Sequence, residues 1–206
     1  MAVNHYENFP VASVLLPERL RRPVELIYSF ARQADDFADE GDLPPEQRLH
    51  NLAEFSGELD RIERGEAPRL PLFADLLPVI TAHSLPVGLF RDLISAFSQD
   101  VTKNRYADFG EVMDYCRRSA NPVGRLLLVL YGAATPQNLR WSDHVCSSLQ
   151  IINFLQDIAV DDAFGGTYPE ALCLDGARLV PVALVAPPPD LSPPPLPPSP
   201  IPLWQP

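Results

Sequence analysis

Lysine is almost absent from this chain. Lys103 is alone among 16 basic residues, and 27 acidic residues leave a formal net charge of −11. That balance excludes the basic face with which proteins grip nucleic-acid phosphates, so no nucleic-acid partner is expected. Cysteine is scarce and unpatterned: Cys116, Cys146 and Cys173 form no C-x-x-C pair and no metal-site spacing. An odd count without a framework reads as reduced thiols, and a cytoplasmic setting is expected. No basic N-terminal stretch runs into an apolar core, so no signal peptide is expected. The longest apolar run, Leu126–Leu130 extended to Ala134, falls far short of the about 20 residues that cross a bilayer. The chain is expected to be at most peripheral to a membrane. There is no Glu-x-x-His pair, the mark of di-iron bundles. Alternating strand patterns and internal repeats are missing too.

What is present is helical periodicity. Pro23 suits a first helical turn, and Val24, Ile27, Ala31 and Ala34 follow on one face. Residues 46–64 place Leu49, Leu52, Phe55, Leu59 and Ile62 at helical spacing before Gly65. Residues 71–83 read as a weaker helix interrupted by Pro78, and 86–102 repeat Leu89, Leu93, Phe97 and Val101. A helix from Phe109 should kink or break at Pro122 and resume to Leu130. A last long helix spans about residues 137–161, with Leu149, Ile152 and Leu155 among its core positions. An all-α domain over residues 1–162 is the expectation. Residues 163–206 are set apart by composition: 12 of the 24 prolines fall within 181–206, where Asp190 is the only charge. Such a segment is extended polyproline or disordered.

Two polar constellations interrupt the apolar pattern. In FARQADDFADE, Asp35 and Asp39 stand at i and i+4, with Arg32 one turn before Asp36. Two like charges at that spacing repel on a helix face, and Mg²⁺ would offset them, since it takes one or two carboxylates together with water and phosphate oxygens. A solvated acidic helix end before Gly41 is the plainer alternative. In SSLQIINFLQDIAVD, Gln150, Asn153, Asp157 and Asp161 make one polar stripe on an otherwise apolar helix. Asp157 and Asp161 repeat the D-x-x-x-D spacing. Two such motifs on two long helices suit a metal–diphosphate clamp across a bundle.

These motifs, with HYENFPVASVLLP, FSQDVTKNRYADF and YCRRSANPVGRLLLVLYG in order between and before them, resemble the squalene/phytoene synthase family. The resemblance covers about residues 4–161. YCRRSANPVGR and HYENFPVAS resemble the hydroxysqualene synthase branch of hopanoid biosynthesis. It implies an isoprenoid-synthase-type helical bundle acting on a farnesyl- or presqualene-type diphosphate. Asp35, Asp39, Asp157 and Asp161 would hold Mg²⁺. His5, Asn8, Arg32, Arg105, Gln150 and Asn153 would contact the diphosphate, and Tyr106 would act with Arg105 on the leaving group. It also implies release of water-quenched hydroxysqualene with no need for NADPH; peripheral membrane contact through the lipid product is a further expectation.

After Asp161 the likeness stops. DAFGGTYPEALCLDGARLV lacks the basic residues and the Tyr-Leu-Pro that follow the second motif in the family, and the helices beyond it. The expectation is a bundle incomplete at its C-terminus through truncation or a frameshift near codon 162, with activity impaired. A dehydrosqualene or phytoene synthase-type prenyltransferase is the nearest alternative. A non-catalytic helical scaffold whose Pro-rich tail binds a partner domain is the alternative from another class. The oligomeric state is not legible.

Overall fold

The computed structural model describes residues 16–39, 43–103, 105–164 and 168–169; for residues 39, 105, 155–164 and 168–169 it describes the backbone alone. All of them lie in one unit, Met1–Ala171. His5, Asn8 and the Pro-rich segment 181–206 are outside the described residues.

Helix α1, Glu18–Asp39, starts five residues before the expected point. Pro17 precedes it and accepts from the Leu20 amide at 2.8 Å, so the opening turn is built there and Pro23 falls inside the helix. Leu20, Val24, Ile27, Phe30, Ala34 and Ala38 form its buried face. Helix α2, Pro45–Glu63, opens on Pro45, whose missing donor is not needed in a first turn. It closes in a Schellman motif. Gly65, at φ +71°, donates to the Ile62 carbonyl (3.0 Å) and Glu66 to that of Arg61 (2.8 Å). The buried carboxylate of Glu58 turns the chain into the next helix by accepting from the amides of Arg69 (2.6 Å) and Leu70 (3.2 Å).

Helix α3, Pro71–His83, runs through Pro78, where an interruption was expected. Phe73, Leu76 and Ile80 are buried along it. Their common face holds the helix together across a residue that gives the Ala74 carbonyl no donor. Pro78 is exposed, so its ring contributes little packing. Pro78→Ala is therefore expected to raise stability by about 1–3 kcal/mol, the helix-interior penalty of proline less its entropic restraint on the unfolded chain. Urea denaturation reads this directly, and a lowered midpoint would contradict it.

Helix α4 spans Val87–Asp100 and buries Phe90, Leu93, Ile94, Ala96 and Phe97. A two-residue strand β1, Arg105–Tyr106, follows. Asp108 then caps helix α5, Phe109–Ser119, by accepting from the Glu111 amide at 2.9 Å. At Pro122 the expected break is complete: α5 ends, and a separate helix α6, Asn121–Leu130, begins with the proline in its first turn. Helix α7, Pro136–Phe164, is 29 residues long and passes the expected boundary at 162. Strand β2, Tyr168–Pro169, lies parallel to β1, pairing Arg105 with Tyr168 and Tyr106 with Pro169. This small ladder was not expected from a chain without alternating patterns.

Helices α1 to α4 close on an aromatic core. Phe30 meets Phe55 at 5.7 Å between ring centroids and Phe90 edge-on at 5.0 Å, and Phe55 meets Phe73 edge-on at 4.9 Å. Such ring pairs add about 0.5–1.5 kcal/mol each beyond their area. Helices α6 and α7 approach closely at Gly124, where a Cβ would stand 2.6 Å from Cys146 Sγ and nearer still to Ser142 Oγ. Arg125 grips Asp143 through two bonds of 2.8 and 2.6 Å, and Ser147 Oγ donates to the buried Asn121 Oδ1 at 2.9 Å.

The outer face of α7 departs from expectation. Leu149 and Ile152, read from periodicity as core, are 56% and 47% exposed, in line with Trp141 and Val145 at 53% and 57%. No described element covers this stripe, so its spacing records an apolar face without a described neighbour. The third expected core position, Leu155, is among the residues described by backbone alone.

Candidate functional site

The second, smaller core is where the motifs meet. Ala96 of α4, Tyr106 of β1, and Val112, Tyr115 and Cys116 of α5 are buried together, with Ile151 and Phe154 of α7 packed on them. Three of its aromatic rings are in mutual contact. Tyr106 and Tyr115 stand 5.6 Å apart, and Phe154 lies 6.2 and 5.7 Å from them. The polar ends of this cluster carry its chemistry.

Tyr115 donates its hydroxyl to Asp100 Oδ2 at 2.8 Å. Burial raises the Tyr115 phenol far above its usual range, and the charge of Asp100, its hydrogen bond and the charge of Asp35 add to this. Burial likewise raises the Tyr106 phenol, with Asp100 second. Both phenols are thus held protonated as donors. Asp100 on α4 bonds the buried Tyr115 hydroxyl directly, and the charge of Asp35 on α1 adds a weaker influence on it. Carboxylate oxygens are the ligand type a hard divalent cation takes, so the side-chain chemistry of Asp35 is compatible with Mg²⁺. Among the described residues no three acidic, histidine or cysteine side chains group as a metal site. The side chains of Asp39, Asp157 and Asp161 are not described; their backbones lie in α1 and α7.

The other candidates divide. Arg32 Nε stands 2.7 Å from Asp36 Oδ1, an intrahelical ion pair in place of the expected phosphate contact. Gln150 is partly buried and Asn153 exposed on α7. Arg105 belongs to β1 by its backbone, its side chain undescribed. Tyr106 is 2% exposed. Its loop is fixed by Lys103, whose Nζ sits 5.1 Å from the Tyr106 ring centre and 2.8 Å from Glu111 Oε2. Burial pushes the Cys116 thiol up to about 11, which makes it an inert core group.

Neither Tyr115 nor Asp100 was assigned to the site from the sequence. Tyr115 alternates with Val112 and Cys116 at helical spacing and so reads as core. Its partner Asp100 is 15 residues away on another helix, a proximity that only the packing of α4 on α5 creates.

The profile of the squalene/phytoene synthase family matches residues 2–171. A hydroxysqualene synthase from Sinorhizobium fredii is 40% identical over 164 residues, 78% of this chain and 53% of that protein. A presqualene diphosphate synthase from Rhodopseudomonas palustris is 32% identical over 162 residues, 78% of this chain and 57% of the relative. The crystal structure of squalene synthase HpnC from Alicyclobacillus acidocaldarius superposes with a TM-score of 0.72 at 39% identity, covering 81% of this chain and 62% of that one. The chain spans about half the length of the curated relatives it matches.

Proposed function

This chain belongs to the squalene/phytoene synthase family, and we propose that its site serves the hydroxysqualene branch, ionising presqualene diphosphate and letting water capture the rearranged cation. The observation that carries the reading is the Asp100–Tyr115 hydrogen bond beside Tyr106 on the aromatic wall that includes Phe154 of α7, with the charge of Asp35 felt at the same phenol. It joins an acidic, donor-rich end to an apolar surface, as a diphosphate with a prenyl tail requires.

Under this proposal Asp35, Asp39, Asp157 and Asp161 hold Mg²⁺, which supplies charge neutralisation for the departing diphosphate. Arg32, Arg105, Gln150, Asn153, His5 and Asn8 contact the diphosphate oxygens. Tyr106, protonated and buried, offers a hydrogen bond to the leaving group as negative charge grows there. Phe154, Tyr115 and the ring of Tyr106 face the prenyl chain and keep water from the cation until rearrangement is finished. Water as the final nucleophile leaves no need for NADPH. No described helix is long and apolar enough to cross a membrane, so contact with a bilayer would come through the lipid product.

The test is incubation of the chain with presqualene diphosphate and Mg²⁺, with products followed by mass spectrometry beside the Sinorhizobium fredii enzyme. Hydroxysqualene is expected as the product, at a rate at least about tenfold below the reference. The bonds that fix α7 lie at Asp143 and Ser147, and no described element covers its apolar stripe, so the later stretch bearing Phe154 is less constrained; a tenfold loss needs only about 1.4 kcal/mol of misplacement. Condensation of geranylgeranyl diphosphate with presqualene diphosphate untouched would replace this reading by the phytoene-type one. A rate equal to the reference would show that the open face is immaterial.

A further inference from the structure

Arg118, on α5, spends its donors on three residues. Its Nε and Nη2 reach Asp114 Oδ2 at 3.0 and 2.9 Å, Nη1 reaches Ser95 Oγ at 3.1 Å, and Nη2 reaches Gln99 Oε1 at 2.7 Å. Its side chain is 13% exposed, so this fork is largely shielded from water. A guanidinium can only donate. Gln99 must therefore turn its carbonyl oxygen toward Arg118, and its NH₂ is forced to the opposite side. There it faces the hydroxyl of Tyr106, to which it donates across a long 3.4 Å contact. The Tyr106 oxygen is thus used as an acceptor on the Gln99 side, and its hydrogen is kept for another direction. Asp100 acts on this phenol from its own place on α4, and the Tyr115 hydroxyl already occupies Asp100 Oδ2.

We propose that Arg118 is a positioning residue: by fixing the amide of Gln99 it sets the Tyr106 hydroxyl as a hydrogen-bond donor to the ligand. This rests on the reading of the site as a diphosphate site. Without Arg118 the Gln99 amide is free to invert, present Oε1 to Tyr106 and take the phenol hydrogen for itself. A neutral hydrogen bond to a charged group is worth about tenfold in affinity, and that is what inversion would remove from the bound diphosphate.

The experiment uses the whole chain, Mg²⁺ and farnesyl thiodiphosphate, with affinity read by calorimetry. Arg118→Met and Tyr106→Phe should each weaken binding about tenfold, and the double variant should be no weaker than either. Gln99→Glu separates positioning from packing. Its carboxylate keeps the shape and strengthens the pair with Arg118, but cannot donate to Tyr106, so it should also lose about tenfold. Additive losses in the double variant, or wild-type affinity in Gln99→Glu, would overturn the proposal. A second readout needs no ligand: the isotope shift on the Tyr106 ring carbon bearing the hydroxyl, in free protein. It should change in the same sense in Arg118→Met and Gln99→Glu, and an unchanged signal in both would overturn the proposal. If wild-type chain fails to bind the analogue while this signal responds, the diphosphate reading falls and the Arg118–Gln99–Tyr106 linkage stands.

Discussion

Asp35→Asn is expected to weaken Mg²⁺-dependent binding of farnesyl thiodiphosphate by about tenfold or more, and to leave the chain folded. The side chain is partly exposed on α1, so the amide is accommodated without a cavity. What changes is charge. Asp35 and Asp100 both act on the Tyr115 hydroxyl, and removing one carboxylate removes part of the reason for a cation to settle there. Loss of even an indirect partner at a metal site commonly costs 10–100-fold, so a direct ligand should cost no less. Calorimetry with and without Mg²⁺ gives the answer. Wild-type affinity that is the same in both conditions would end the clamp idea. A variant that binds as wild type does in Mg²⁺ would exclude Asp35 from it.

Gly124→Ala should destabilise the fold by about 1–3 kcal/mol, the usual penalty for overpacking. Helix propensity points the other way, since alanine is favoured over glycine by about 1 kcal/mol inside a helix. Geometry decides between them. The new methyl would stand 2.6 Å from Cys146 Sγ and closer to Ser142 Oγ, and both belong to α7, whose register is fixed by the Arg125–Asp143 fork and the Asn121–Ser147 bond. The helix pair cannot separate without loosening those. Adding Ser142→Ala and Cys146→Ala removes the two offending atoms and leaves the Ser142 Cβ at an ordinary 3.6 Å. Stability should then return, read as the urea midpoint of the triple variant against the single one. A single variant as stable as wild type would show that the two helices slide freely.

Helix faces were legible wherever one side met the core and the other met water. In α2 and α4, Leu52, Phe55, Leu59, Leu93 and Phe97 are buried as their spacing implies. Proline was harder to read, because its effect depends on the neighbours. Pro122 separates two helices, while Pro78 lies within one whose buried face holds it straight. Leu149 and Ile152 show the limit of periodicity, which reports that a face is apolar and is silent on whether anything covers it. In the site, Asp35 and Tyr106 were legible as motif residues. Asp100, Tyr115, Gln99 and Arg118 fall inside FSQDVTKNRYADF and YCRRSANPVGR, but their pairing was not legible, because the partners in each pair belong to different helices and no local spacing links them.

The placement of Trp141 has a spectroscopic consequence. It is one of two tryptophans, and the other, Trp204, lies outside the described residues. Among the described residues no indole is buried in the aromatic core, which is built from phenylalanine, so the emission of Trp141 is nearly blind to the melting of that core. It reports instead on the open side of α7, where Trp141 shares a stripe with Val145, Leu149 and Ile152. A blue shift on mixing with a protein, a detergent or a second copy of the chain would signal that this stripe had been covered, while the phenylalanine bands stayed unchanged.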